Sequence, residues 1–434
     1  MKKRIFRYFK HLIFTIIVAL PILIMVGHAN GAAANYGHDP KMIDWDGEGP
    51  YIFYENDSTL SVNYVRGDKN EGFYVDTEFY PSDHPALVTC FNPFDSSSFE
   101  FSLWSTRSSD GPAILAGVEL QSSKSRESSN HQGQQSKANE KSNLQNEYLK
   151  SSSNQAVFTD GHPIIAISDI EGNYLALRDF LIGNQVIDQD LNWTFNQGHL
   201  VLVGDFVDRG FFSTQVLWLI YKLDQEAGIA GGNVHFIIGN HELKNLYGDY
   251  GSASPKYQHL ASMLGKQQYE LYGVNSLIGR WMETKNALEL INGILFVHGG
   301  IHPEIADLNM DIIEMNRILK ASYREPYFPK KEEDPNRLLK SSRTGPAWYR
   351  GYFKGDLSQE EVDRGLEKFG AKAVVVGHTI QMKINRSYDG KVFGIDVRHP
   401  GDHYQTFPFP SSEGLLIKDG NYFRIFADGK QREL

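Results

Sequence analysis

Five short apolar runs, each followed directly by a cluster of polar residues, most strongly constrain the fold of this 434-residue chain. The runs lie at residues 163–167, 199–203, 234–238, 293–297 and 373–376. Helical patterns lie between them at 174–182, 213–227 and 311–323, and closing strands are expected at 391–397 and in a hairpin over 414–427. Alternating strands and helices predict an α/β fold with a buried sheet.

The polar clusters supply side chains that bind metals or transfer protons. They read Ser-Asp-Ile-Glu-Gly-Asn at 168–173, Gly-Asp-Phe-Val-Asp-Arg-Gly at 204–210, Gly-Asn-His-Glu at 239–242, His-Gly-Gly at 298–300 and Gly-His-Thr at 377–379. In open α/β sheets, ligand sites lie at the carboxyl ends of strands. Taken alone, each cluster is more typical of a turn, a helix cap or a core histidine than of a site. The ordered set of five predicts one shared site.

This ordered set resembles the calcineurin-like metallophosphoesterases, and among them the phosphoprotein phosphatase family with its GDxHG, GDxxDRG and GNHE motifs. Three phrases are similar to the Shewanella-like branch, which includes a cold-active protein-tyrosine phosphatase: NHELKNLYGDY from Asn240, HGGI from His298 and GPAWYRGY from Gly345. The resemblance covers roughly the last 270 residues. It implies a four-layer α/β/β/α sandwich.

The resemblance also implies a site for two divalent metal ions, with Mn²⁺ expected first and Fe, Zn²⁺ or Mg²⁺ as alternatives. Asp205 would bridge the two ions. The other ligands would be Asp169 and Glu171 at the first ion, and Asn240, His298 and His378 at the second. A hydroxide between the ions would attack phosphorus in line.

Catalytic roles follow from the same resemblance. His241 would be the general acid, Asp208 would orient it, and Arg209 would hold phosphate oxygens. A second phosphate-binding arginine is usual in the family; Arg350 is the first candidate and Arg343 the second. The implied reaction is hydrolysis of a phosphomonoester, on a protein phosphorylated at tyrosine or at serine and threonine, or on a small phosphomonoester.

The chain departs from the family pattern at Glu171, where the family has histidine two residues after the first aspartate. Residues i and i+2 leave a strand on the same face, so Glu171 can point to the place of that histidine. An all-oxygen site would prefer harder ions such as Mn²⁺ or Mg²⁺ over Zn²⁺. The alternative is that Glu171 only caps the following helix.

Other functions can be weighed against single residues. Cys90, the only cysteine, is followed six positions later by Ser96 rather than arginine, which excludes a cysteine-based tyrosine phosphatase. Asp188-Gln-Asp190 lies in a loop-like context and fits an aspartyl-phosphate mechanism poorly. Two alternatives stay open: a nucleotide or dinucleoside-polyphosphate hydrolase, and a binding module with degenerate metal sites. The net charge of −10 argues against a nucleic-acid partner.

The first 158 residues are expected to form three segments before a catalytic domain at 159–434. A basic start, an apolar run and small residues up to Ala34 predict a signal peptide at 1–34 and export to a periplasm. An uncleaved N-terminal anchor is the alternative. Alternating apolar and polar residues predict a small antiparallel β domain at 35–120, serving as a scaffold or a lid. Residues 121–158 are polar and predict a flexible linker or loop.

Overall fold

The computed structural model describes residues 47–68, 70, 72–82, 155–326, 336–402 and 411–434. The predicted signal peptide and most of the predicted linker lie outside these residues, as does Cys90. In the described ranges, no helix is long and apolar enough to cross a membrane.

The described strands form three sheets. The strands are β1 (Glu48–Asn56), β2 (Thr59–Asp68), β3 (Gly72–Pro81), β4 (Val157–Phe158), β5 (Ile164–Ile167), β6 (His199–Val203), β7 (Asn233–Ile237), β8 (Leu288–Ile291), β9 (Ile294–Val297), β10 (Ala373–Val376), β11 (Asn385–Ser387), β12 (Val392–Gly394), β13 (Glu413–Lys418), β14 (Asn421–Phe426) and β15 (Gln431–Glu433). The helices are α1 (Tyr174–Gly183), α2 (Ser213–Ala230), α3 (Asn240–Tyr247), α4 (Pro255–Met263), α5 (Leu277–Glu283), α6 (Pro303–Ala306), α7 (Ile312–Lys320) and α8 (Gln359–Phe369).

Two six-stranded sheets form the centre of the molecule. Sheet II has the order β15-β14-β13-β5-β6-β7, and sheet III has the order β11-β12-β10-β9-β8-β4. Strands β5, β6 and β7 are parallel neighbours in sheet II, as are β9, β10 and β12 in sheet III. The carboxyl ends of these parallel strands therefore lie together at one edge of each sheet.

Strict alternation of side chains along the strands explains the layers. In β6, Val201 and Val203 face an apolar core between the two sheets, whereas Leu200 and Leu202 face the core on the helix side. In sheet III, Phe296 and Val375 contribute to the inter-sheet core in the same way. Successive side chains of a strand point to opposite faces, so a sheet whose strands are apolar on both faces must be packed against another layer on each side. The predicted four-layer α/β/β/α architecture is confirmed.

The N-terminal sheet I, with the order β1-β2-β3, is antiparallel throughout. It is not isolated from the rest, because Ile52 and Phe53 of β1 belong to the same apolar core as α2 and α5. The Trp218 indole N–H of α2 donates to the Pro50 carbonyl oxygen at 2.9 Å. Most of β3 is exposed on the outer side. Sheet I thus packs directly against α2 and α5.

One predicted strand ends earlier than expected. A strand over 391–397 was expected from the sequence, but β12 ends at Gly394. Asp396 therefore lies just beyond the carboxyl end of a parallel strand, at the same edge as the predicted site residues. The expectation was wrong because Ile395 and Val397 continue the apolar alternation after the ladder has stopped.

Candidate active site

Three side chains from three different strand ends meet in a buried cluster. Asp205 follows β6, His298 follows β9 and His378 follows β10, and one ligand atom from each lies within 4.8 Å of the other two. Asp205 Oδ2 lies 3.1 Å from His298 Nε2. Asn240, the first residue of α3, adds its Oδ1 at 3.2 Å from the same Nε2. Four of the six predicted metal ligands therefore lie together, and Asp205, His298 and Asn240 are in direct contact.

The backbone of this edge adopts a conformation that most residues avoid. Asp205, Asp208, Arg209 and His378 have φ of 59°, 70°, 57° and 63°, and the residues of the first cluster, Asp169 and Glu171, have 54° and 51°. A left-handed non-glycine residue costs on the order of 1–3 kcal/mol and persists only where its surroundings fix it. Strain of this kind concentrates at functional sites.

Two glycines allow the strand ends to approach each other. A Cβ on Gly239 would lie 2.4 Å from Asp205 Oδ1, and a Cβ on Gly377 would lie 2.5 Å from Asp169 Oδ2. Both distances are far below van der Waals contact. These positions therefore need glycine so that α3 and the end of β10 can reach the two carboxylates.

Buried charges dominate the electrostatics of the cluster. Burial opposes the charge of His298, yet Asp205 raises the pKa of the imidazole to about 10. The pKa of Asp205 is held well below its ordinary value because His298 and His241 outweigh the effect of burial. Burial, His298 and Arg350 lower the pKa of His378. A positive charge is therefore strongly favoured in this cluster of one carboxylate and two imidazoles.

A second pair of carboxylates lies near the cluster. Burial and the neighbouring charge of Asp396 raise the pKa of Asp169. Asp169 Oδ2 accepts hydrogen bonds from Ser168 Oγ and, at 3.1 Å, from the backbone N–H of His378. Burial raises the pKa of Asp396 to about 6. Sequence reasoning missed Asp396 as a site residue because its strand was predicted too long; the rule of polar residues at strand ends would have found it.

The predicted acid and its orienting carboxylate are in contact. His241 Nδ1 lies 2.7 Å from Asp208 Oδ2, and both side chains are almost fully buried. Asn245 donates from Nδ2 to the other oxygen, Asp208 Oδ1, at 2.8 Å. With Nδ1 committed to Asp208, the Nε2 atom faces the cluster, 3.8 Å from Asp205 Oδ2. This arrangement fixes the ring and leaves one nitrogen for proton transfer.

Glu242 positions these elements without reaching the cluster itself. Its fully buried carboxylate accepts the backbone N–H groups of Gly239, Asp205 and Phe206 at 2.9, 2.9 and 2.8 Å. Glu242 therefore ties the start of α3 to the loop after β6. Sequence reasoning gave no role to Glu242 or to Asn245. The signal for Glu242 was its place three residues after Gly239, where a glutamate can cap a helix start.

The departure at position 171 has a clear partner in the structure. The Glu171 carboxylate forms an ion pair with the guanidinium of Arg209 through Oε1 and Nη1. Arg209 Nη2 also lies 3.3 Å from His241 Nε2. Glu171 thus contacts the predicted phosphate-binding arginine, and Asp205, His298 and His378 form their cluster without it.

Of the two candidates for a second arginine, Arg350 contacts the site. Its Nη1 donates to the backbone carbonyl of His378, and its Nη2 lies 3.3 Å from His378 Nδ1. The Nε2–H of His378 donates to the carbonyl oxygen of Trp348 at 2.9 Å. Arg343 is exposed, and no hydrogen bond or ion pair described for its side chain reaches the cluster.

The residues present fit a divalent metal ion. Carboxylate oxygen and imidazole nitrogen are ligands that Zn²⁺, Mn²⁺ and Fe all accept. The carbonyl of Val203 accepts from His298 Nδ1 at 2.7 Å, so the Nε2 atom of that ring is the one directed at Asp205 and Asn240. Such an outer hydrogen bond is the usual way of orienting a metal-binding histidine.

Comparison with known proteins agrees with this geometry. The calcineurin-like phosphoesterase family model matches residues 162–382. Shewanella-like protein phosphatase 1 of Plasmodium berghei is 29% identical over 229 residues, which are 50% of this chain and 61% of that protein. Shewanella-like protein phosphatase 2 of Arabidopsis thaliana is 30% identical over 224 residues, covering 50% of this chain and 53% of that protein. The chain thus spans little more than half the length of these relatives.

A solved structure is similar over most of the chain. The crystal structure of the cold-active protein-tyrosine phosphatase of a psychrophilic Shewanella species superimposes with a TM-score of 0.66 at 25% identity, covering 90% of this chain and 99% of that one. The protein belongs to the calcineurin-like phosphoesterase family, whose members are metal-dependent phosphoester hydrolases. Within it, the relatives confirm the Shewanella-like branch of the phosphoprotein phosphatases that the motifs predicted.

Proposed function

We propose that this chain is an exported phosphomonoesterase that uses two divalent metal ions, and that its substrate is a phosphorylated protein. The buried cluster of Asp205, His298 and His378, with the His241–Asp208 pair beside it, is the observation that carries the proposal. The names of the similar proteins, which are protein phosphatases, favour a protein substrate over a nucleotide.

The residues divide into metal-holding and substrate-holding groups. Asp205 would contact both ions, Asn240, His298 and His378 would hold one of them, and Asp169 would contribute to the other. Bound divalent ions at such sites supply positive charge to the phosphoryl oxygens and lower the pKa of a bound water. Glu171 has two candidate partners, the ion that Asp169 would hold and Arg209, and the structure shows the pair with Arg209.

The chain's own side chains would then handle the phosphate and one proton. Arg209 and Arg350 would bind the phosphoryl oxygens through their planar guanidinium groups. His241 would donate its Nε2 proton to the departing phenolate or alkoxide oxygen. Asp208 holds the ring at Nδ1, so the proton that leaves is the one on the nitrogen facing the cluster.

The test is a substrate panel with the mature chain in Mn²⁺. Peptides phosphorylated on tyrosine, peptides phosphorylated on serine or threonine, diadenosine tetraphosphate and a bis-aryl phosphodiester would be compared by kcat/KM. We expect phosphate release from the peptides, and loss of that release in Asp205→Asn. Preferential cleavage of diadenosine tetraphosphate would replace the proposal with nucleotide hydrolysis. Metal binding without turnover of any substrate would favour a binding module instead.

The proposal of export rests on the N-terminal sequence pattern alone, since residues 1–46 lie outside the described part of the chain. Expression of the full chain in a Gram-negative host, followed by mass spectrometry of the periplasmic fraction, tests it. A mature protein beginning near residue 35 supports export with cleavage. Full-length protein that sediments with membranes would support the uncleaved anchor.

A further inference from the structure

A buried ion pair connects sheet I to the loop that carries Arg209. Glu48 is the first residue of β1 and Lys256 lies in the first turn of α4, and their Oε2 and Nζ atoms are 2.5 Å apart. Both side chains are only 1% exposed. Gln215 Nε2 and the Tyr51 hydroxyl also donate to the Glu48 carboxylate, at 3.3 and 3.4 Å.

Lys256 forms a second hydrogen bond, to the loop that carries Arg209. Its Nζ donates to the backbone carbonyl of Phe211 at 2.6 Å, and the Tyr257 hydroxyl donates to the same oxygen at 3.0 Å. Phe211 is two residues after Arg209. The ammonium group is therefore shared between a carboxylate of sheet I and a carbonyl of the Arg209 loop, deep inside the molecule.

The loop itself is held at successive residues. The backbone N–H of Arg209 donates to the Ser252 carbonyl at 3.0 Å, and that of Phe212 donates to Gly172 at 3.1 Å. Arg209 has a left-handed backbone, with φ of 57°. Such a conformation persists only while its surroundings fix it. The position of the Arg209 guanidinium therefore depends on the hydrogen bonds that hold this loop.

We infer that Glu48, acting through Lys256 and the Phe211 carbonyl, is a positioning residue for Arg209, and that sheet I is thereby a working part of the phosphate-binding site. The role of Arg209 in this inference rests on the proposed function. Removing the charge of Glu48 leaves a buried ammonium group without its carboxylate, which is strongly unfavourable. Lys256 then shifts, and the Phe211 carbonyl loses the stronger of the two donors described above while it keeps Tyr257.

The test is Glu48→Gln in the full chain, with Glu226→Gln as the matched control. Glu226 also forms a buried Lys–Glu pair, with Lys222 at 2.5 Å, in the second half of α2 and away from the Arg209 loop. We expect kcat/KM for a phosphomonoester to fall about tenfold in Glu48→Gln, as for a misplaced binding group. Glu226→Gln should lower the melting temperature but leave kcat/KM unchanged.

A double-mutant cycle separates positioning from general destabilisation. In an Arg209→Lys background, Glu48→Gln should lower kcat/KM by less than about twofold, because the two residues act as one unit. Tyr257→Phe removes the second donor to the Phe211 carbonyl together with the acceptor of the Thr214 N–H at 3.3 Å. It should give a smaller loss in the same direction and serves if Glu48→Gln does not fold. An undiminished effect of Glu48→Gln without Arg209 would overturn the inference.

Hydrogen exchange tests the mechanical link without relying on activity. Peptides that cover residues 205–215 should exchange faster in Glu48→Gln than in the wild type, and Glu226→Gln should not change them. Equal exchange in all three proteins would refute the link even if the enzyme is active. Faster exchange in a protein with no phosphatase activity would keep the link and reject only the proposed function.

Discussion

The core between the two sheets and the carboxyl-end edge of the same strands are built on opposite principles. Between the sheets, Val201, Phe296 and Val375 are fully buried and apolar. A few residues further along the same strands, Asp205 and His298 are just as buried but charged. One region gains stability from burial, while the other gives it up to hold charges and strained backbone in place.

The difference shows where stability and function reside in this chain. Burying apolar side chains stabilises the fold by about 25 cal/mol per Å². Buried charges and left-handed backbone at Asp205 and Asp208 cost free energy, which the strands behind them must offset. Substitutions at the edge should therefore remove activity more than stability, and substitutions between the sheets should do the reverse.

Among the substitutions of proton-transfer and core residues, His241→Ala at the edge should have the largest effect on activity. Loss of the general acid should lower kcat by about 10²–10⁴-fold with little change in melting temperature. The loss should be greater for phenyl phosphate than for para-nitrophenyl phosphate, because nitrophenolate leaves more easily without a proton. Equal losses for both substrates would argue against His241 as the acid.

In the inter-sheet core, Phe296→Ala should lower stability strongly and change activity little. Its side chain is fully buried, so truncation should cost about 3–5 kcal/mol in the free energy of unfolding. Urea denaturation would measure this loss of stability. The kcat per folded molecule should stay within about twofold, because Phe296 belongs to the inter-sheet core and not to the site. Phe79→Ala is the control, since Phe79 is 66% exposed on β3 and its removal should change stability little.

Asp208→Asn should lower activity by a smaller factor than His241→Ala, because Asp208 contacts the acid but not the cluster. We expect kcat to fall about 10–100-fold, since the amide no longer holds His241 in the correct tautomer. A pH–rate profile with a displaced limb for the acid would distinguish this from a loss of folding. Asp224→Asn is the matched control: Asp224 pairs with Lys285 at 2.6 Å, and its loss should affect stability only.

The smallest effect is expected at the solvent side of the edge, for Glu171→Gln. Both partners of the Glu171–Arg209 pair are partly exposed, so the pair is worth at most about 1 kcal/mol. Freed from Glu171, Arg209 should bind phosphate a few-fold more tightly, as measured by product inhibition. A loss of bound metal instead would identify Glu171 as a ligand. Glu314→Gln, in an exposed pair with Arg317, should change neither quantity.

The sequence was most informative for the features that follow from a local pattern of apolar and polar residues. Apolar runs followed by polar clusters predicted the parallel strands, and β6 and β10 begin and end where expected. The same rule brought Asp205, His298 and His378 together, because carboxyl ends of parallel strands share an edge. That much follows from periodicity and strand direction alone.

What the sequence did not reveal depends on tertiary contacts. Nothing around Glu171 indicated that its carboxylate would pair with Arg209, because the partner lies on the loop of another strand. The packing of sheet I through Glu48 and Lys256 joins residues more than 200 positions apart. Asp396 was hidden by an apolar alternation that outlasts its strand. Long-range pairs of this kind leave no local pattern.

Metal reconstitution of the stripped mature chain would show whether Asp205 forms a metal centre. Wild type and Asp205→Asn would be titrated with Mn²⁺, Mg²⁺ and Zn²⁺, and both bound metal and hydrolysis of para-nitrophenyl phosphate would be measured. We expect metal to restore activity to the wild type, while Asp205→Asn stays folded, binds less metal and loses about 10³-fold or more in kcat. Full activity in the stripped wild type, or metal-restored activity in Asp205→Asn, would contradict this expectation.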